Sequence, residues 1–130
     1  MGAWRGLILA KLENYRGIDV QTTEKSISVR CKNPEAFGVT FEADNNAFTV
    51  SFDGWHEVFA DQDKALNCFA FGLSNESRLK VLRRGSMECR WTLQHLENGA
   101  WIEDSTTGLI FVPFWRSAQY VFRHNICEMK

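Results

Sequence analysis

Apolar and polar residues alternate along most of this chain, in short runs punctuated by Gly, Asn, Asp and Pro. Helical spacing comes first. Trp4, Leu7, Ile8, Leu12 and Tyr15 form one stripe, which predicts an amphipathic helix over about 4–16, closed by Gly17. Ile27, Val29 and Cys31 then alternate with Ser26, Ser28 and Arg30 as a strand, broken by Asn33-Pro34. Phe37, Val39 and Phe41 make the next strand, and Asp44-Asn45-Asn46 is a turn into Phe48, Val50 and Phe52.

The stretch after Phe52 reads two ways. Asp53-Gly54 favours a two-residue hairpin turn, which would set Phe52 opposite Trp55, Val50 opposite Glu57 and Phe48 opposite Phe59. Glu57 would then lie on the apolar face, where a carboxylate must be paired or stay neutral. Alternatively, Trp55, Val58, Phe59, Leu66, Phe69, Ala70 and Leu73 fit one helical stripe capped by Asp53, with Glu57 in solvent. The hairpin is preferred, because Asp61 is itself a good N-cap for a helix over about 62–73. That helix buries Ala65, Leu66, Phe69, Ala70 and Leu73.

Beyond a loop at 74–77, Leu79 and Val81 begin a strand, and Arg84-Gly85-Ser86 turns it. Met87, Cys89, Trp91, Leu93 and His95 share one face of the next strand. Asn98-Gly99 is a second hairpin signal, setting His95 opposite Ile102, Leu96 opposite Trp101 and Leu93 opposite Asp104. Leu109–Phe114 is apolar on both faces, as a central strand is, although Pro113 pushes it to an edge. Tyr120, Phe122 and His124 mark a last strand, and the tail 125–130 is expected to be loose. The sum is a single α+β domain, 1–130, whose mostly antiparallel, curved sheet of about eight or nine strands packs on two helices as a roll or half-barrel.

Composition adds limits. The 130 residues are 45% hydrophobic with a net charge of −1, which fits one packed domain and selects neither nucleic acid nor a membrane as partner. Charge is nevertheless uneven. Seven acids and no base lie between Asn33 and Asp63, whereas Arg78, Lys80, Arg83, Arg84 and Arg90 face one acid, Glu88. The cysteines at 31, 68, 89 and 127 lack zinc-ligand spacing and read as small buried residues of a reducing compartment. Leu7–Ala10 is too short for a signal peptide and Leu109–Trp115 too short to span a bilayer, so the expected setting is cytoplasmic without a membrane partner.

No nucleotide-binding, zinc-protease or serine-hydrolase motif is present. Glu57 is the candidate acid or base, with His95, His124 or Arg116 as partner. Cys89 and His95 are too far apart along one strand to bind an ion together and would need His124 or His56 from elsewhere; they read as core, so no metal or cofactor is expected. Phe114-Trp115-Arg116, with Trp55, Trp101 and His56 beside Glu57, offers aromatic and cationic groups for a ligand or partner. The basic hairpin Arg78–Arg90 could track a phosphate backbone. These patterns favour a non-catalytic module that binds a partner protein or a small apolar ligand, with a homodimer suggested by spare apolar surface. The alternatives are a small enzyme built on Glu57 and a nucleic-acid accessory domain.

Overall fold

A computed structural model describes residues 3–125 and 128–129. Helix α1 (Trp4–Leu12) buries Trp4, Ile8 and Leu12. It stops a turn earlier than its apolar spacing implies, and Tyr15–Arg16 becomes strand β1. Gly17, at φ 65°, makes the corner in the left-handed region that favours glycine. Next come β2 (Ile18–Thr22), β3 (Ser26–Cys31), β4 (Val39–Asp44), β5 (Ala47–Phe52) and β6 (Trp55–Phe59), an antiparallel meander in that spatial order. β2 was not among the expected strands, although Ile18 and Val20 alternate with Asp19 and Gln21.

The hairpin reading of 52–59 holds. Phe52 pairs with Trp55, Val50 with Glu57 and Phe48 with Phe59. Asp53 is left-handed at φ 51°, but Gly54 is needed for another reason: the Trp91 ring of the second sheet occupies the place of any Cβ there. Helix α2 (Gln62–Gly72) follows. The Asp61 carboxylate caps it by accepting from the Asp63 amide at 2.8 Å. Ala65, Phe69 and Leu73 seat it on the inner face of the first sheet, where Ile27, Val29, Val39, Phe41, Val50 and Phe52 are fully buried.

The second sheet has the spatial order β10 (Ala118–Arg123), β7 (Ser77–Arg84), β8 (Met87–Glu97), β9 (Ala100–Gly108). The strands thus divide into two separate antiparallel sheets rather than one. The division falls at β6, where the chain leaves the first sheet through α2 instead of pairing onward. Asn98 and Gly99 are both left-handed, and Leu96 pairs with Trp101 and His95 with Ile102 as expected. A bulge between Leu93 and Gln94 then shifts the register, so Leu93 faces Ser105 and not Asp104.

The two sheets meet where the β5–β6 turn abuts the inner face of β8. Trp55, stacked on Phe52 at 4.8 Å, donates its indole hydrogen to the Ser105 hydroxyl at 3.0 Å. Leu109–Phe114 is not a strand. It belongs to a loop, residues 109–117, that runs from β9 to β10 beneath the β7–β8 turn. The end of the chain is more ordered than expected at Asn125, which is buried, accepts from the Phe37 amide at 3.1 Å and donates to the Gly72 carbonyl at 2.9 Å. Met129 and Glu128 pair with β1, while 126, 127 and 130 of the expected loose tail lie outside the described residues. Among the described residues no helix is long and apolar enough to cross a membrane, which leaves strands aside.

Candidate docking site

The residues singled out as acid–base equipment are scattered. Glu57 lies on the face covered by α2, but β6 is an edge strand and its carboxylate reaches solvent. Among the described residues no hydrogen bond or ion pair joins it to a His or Arg. His95 instead pairs with Asp104 at 2.7 Å, a contact that the bulge makes by swinging Asp104 out of register. His124 is half-buried against the edge of Trp101, with ring centroids 6.0 Å apart. Burial, and then the Arg78 charge, push its pKa below 6.5, against a smaller upward pull from Glu35. Trp55 is core, not ligand surface. His56 is exposed, and its amide donates to the Thr107 hydroxyl at 3.3 Å.

The described cysteines offer no ready nucleophile. Burial, and secondarily Glu57, push the Cys68 thiol up to about 12, so it stays protonated near neutrality. Cys89 is a free buried thiol, whereas Cys31 is disulfide-bonded, which corrects the reading of every cysteine as a reduced core residue. Cys127 lies outside the described residues.

Sequence reasoning missed the main polar feature, a charged junction between the sheets. Arg123 of β10 donates to Asp53 Oδ2 at 2.6 Å and to both carboxylate oxygens of Glu88. Asp53 Oδ1 also accepts from the Gly38 amide at 2.8 Å and from Arg30 at 3.0 Å, and Glu88 accepts from the Trp91 indole at 3.1 Å. The hydrogen bonds that Arg123 donates hold the Glu88 carboxyl below its ordinary value, and the same bonds, with Glu88 accepting, hold Arg123 above its own. With every carboxylate oxygen engaged and both groups locked in their charged forms, the junction is a staple rather than a proton-transfer site.

These shifts fix a pH dependence. His124 is neutral in the fold, so protonation favours the unfolded chain, and stability is lost as pH falls from 6.5 through its lowered pKa. Glu88 is ionised in the fold, so its contribution is present above 4.5 and is lost as pH falls through its depressed pKa. Thermal melting is expected to be level from about pH 7 to 9. Above 9 it should fall, because the buried Cys68 thiol ionises more readily in the unfolded chain. Below neutrality it should decline in the two steps of His124 and Glu88. Replacing His124 with Asn should remove only the upper one.

Two cations of the basic hairpin are spent on the fold. The Arg78 guanidinium lies between Trp101 and Phe122, 4.5 and 4.3 Å from their ring centroids. Lys80 sits 4.5 Å over Tyr120 and pairs with Glu103 at 3.0 Å. Trp91 is buried. The aromatic rings beside Arg78 and Lys80 are thus taken up by those cations rather than left free to stack on bases.

What remains is the loop. Ile110 and Phe111 are 88% and 87% exposed, Phe114 and Trp115 75% and 71%, the four most exposed large apolar side chains among the described residues. The loop is shaped nonetheless. Its backbone closes through Phe114 N–H to Val112 O and Arg116 N–H to Pro113 O, both at 2.9 Å. Arg84 donates to the carbonyls of Phe114 and Arg116, the latter at 3.3 Å, and the Arg116 side chain lies across Gly85. Phe114 and Trp115 meet edge to face at 5.4 Å.

Arg84 and Arg116 flank this apolar tip. The chain has no acidic residue between Asp104 and Glu128, and Glu88 is neutralised by Arg123. No protein-family model, curated protein or solved structure matches the chain.

Proposed function

We propose that this domain is a non-catalytic binding module whose docking element is the loop 109–116. The observation that carries the reading is the display of Ile110, Phe111, Phe114 and Trp115 in water on a backbone held by Arg84. Exposed apolar clusters of this kind mark interaction sites, and aromatic anchors flanked by arginines are the usual composition of binding hot spots. Because the loop is held in shape before docking, little conformational entropy is lost when it is covered. The cavity on the outer face of β2–β4, lined by Asp19, Gln21, Ser28, Arg30, Thr40 and Asp53, does not favour a small apolar ligand. A loop that projects its apolar side chains into water suits the surface of a partner protein better than an enclosed small molecule.

Photo-crosslinking tests this. A benzoylphenylalanine replacing Phe111 is expected to give a protein adduct that added wild-type domain competes away and a Phe111→Ala, Trp115→Ala variant does not. The same probe at Glu42, exposed on β4, should give none. Equal adducts from both positions, or competition by the loop variant, would refute the docking role.

A further inference from the structure

We infer that the partner surface is carried by this chain itself, and that the loop of one copy docks head to tail into a cavity of a second copy. The inference rests on the loop being the docking element. The cavity, of about 670 Å³, has an apolar floor of Trp4, Ala43, Ala47 and Phe48 and opens between α1, the β4–β5 turn and the start of α2. Its mouth carries Glu24 and Asp44, with Asp61 and Asp63 beside the lining residue Gln62. Lys64 is nearby, Lys25 is paired with Asp44 at 3.4 Å, and Arg5 is committed to the carbonyls of Thr23 and Glu24. Glu24, Asp61 and Asp63 make no ion pair among the described residues.

An apolar tip flanked by Arg84 and Arg116 thus faces, on another copy, an apolar floor with the unpaired carboxylate of Glu24 at its edge. The volume is that of an ordinary ligand site, enough for two aromatic side chains. A chain cannot fill its own cavity in this way. The cavity lies at the Asn45-Asn46 end of β5, whereas the Asp53-Gly54 end touches the second sheet, which carries the loop. Six residues of extended strand separate the two ends, roughly 20 Å. Two different surfaces in contact make a heterologous interface, so association continues into a ring or an open chain instead of stopping at a symmetric dimer.

Sedimentation equilibrium with two complementary variants decides it. Phe111→Ala, Trp115→Ala keeps the cavity and loses the loop; Glu24→Lys, Asp44→Lys keeps the loop and reverses the rim. The wild-type mass is expected to rise with concentration past a dimer, and to fall back as salt screens the flanking arginines and the rim. Each variant alone should stay monomeric, while an equimolar mixture forms one-to-one dimers and no larger species. Dimer formation in the mixture also shows that both variants are folded.

A wild type that remains monomeric up to about 1 mM, the weak end of specific binding, overturns the inference. So does a wild type that associates while the mixture does not. If the loop still cross-links competitively to a different protein, the docking role stands and only the second copy is excluded.

Discussion

Replacing Arg123 with Met is expected to destabilise the domain by about 3 kcal/mol, the low end of what removal of one partner from a buried ion pair costs. For a chain of this size that lowers the melting temperature by roughly 10 °C. The side chains of Asp53, Arg123 and Glu88 are 15%, 19% and 32% exposed, so water replaces little of what the guanidinium supplies. Without it, two carboxylates from different sheets face one another, offset only in part by Arg30 beside Asp53 and Arg83 near Glu88. The loss should shrink below pH 4.5, where Glu88 becomes protonated in the variant. Adding Glu88→Gln to Arg123→Met should recover part of the stability, because the amide oxygen still accepts from Trp91 while one unpaired charge is gone. Equal stability of wild type and Arg123→Met would show that hydrophobic packing alone joins the sheets.

The second large effect concerns binding and leaves folding untouched. Truncating Phe111 and Trp115 to Ala removes two anchors, each expected to contribute at least about 2 kcal/mol, or roughly 30-fold in affinity. Self-association should vanish from sedimentation profiles at concentrations where the wild type assembles. The melting temperature should stay near that of the wild type, since exposed positions usually change stability by less than about 0.5 kcal/mol. Trp55→Ala supplies the contrast. It empties a core site and breaks the bond to Ser105, so about 3–5 kcal/mol of stability should be lost. The same residue type thus acts in opposite ways at 55 and 115, and burial decides which.

Local signals in the sequence were dependable wherever neighbouring residues fix the geometry. Asp53-Gly54 and Asn98-Gly99 gave both hairpins with their pairing, and Asp61 gave the start of α2. Registers failed where something non-local intervened. The bulge after Leu93 has no signature in the alternation of β8, and it moved Asp104 to His95. The junction of Asp53, Glu88 and Arg123 joins residues 35 and 70 positions apart, beyond any periodicity. Of the candidate site residues, Trp55 proved to be core, Glu57 an isolated surface carboxylate and Trp101 half of a sandwich around Arg78. Only Trp115 and Arg116 belong to the loop. The run Leu109–Phe114 misled for a physical reason. Unbroken apolarity reads alike whether a segment is buried within its own fold or held out for another surface.

Trp115 offers a direct optical test of the docking claim. Trp4, Trp55 and Trp91 are buried and Trp101 is half-buried, so fluorescence that iodide can quench comes mainly from Trp115. Quenching should be measured across a concentration series spanning the monomer and its assemblies. The quenchable fraction is expected to fall in step with association, as the loop passes from water into a partner. Association with the quenchable fraction unchanged would mean that another surface docks and the loop 109–116 stays in water.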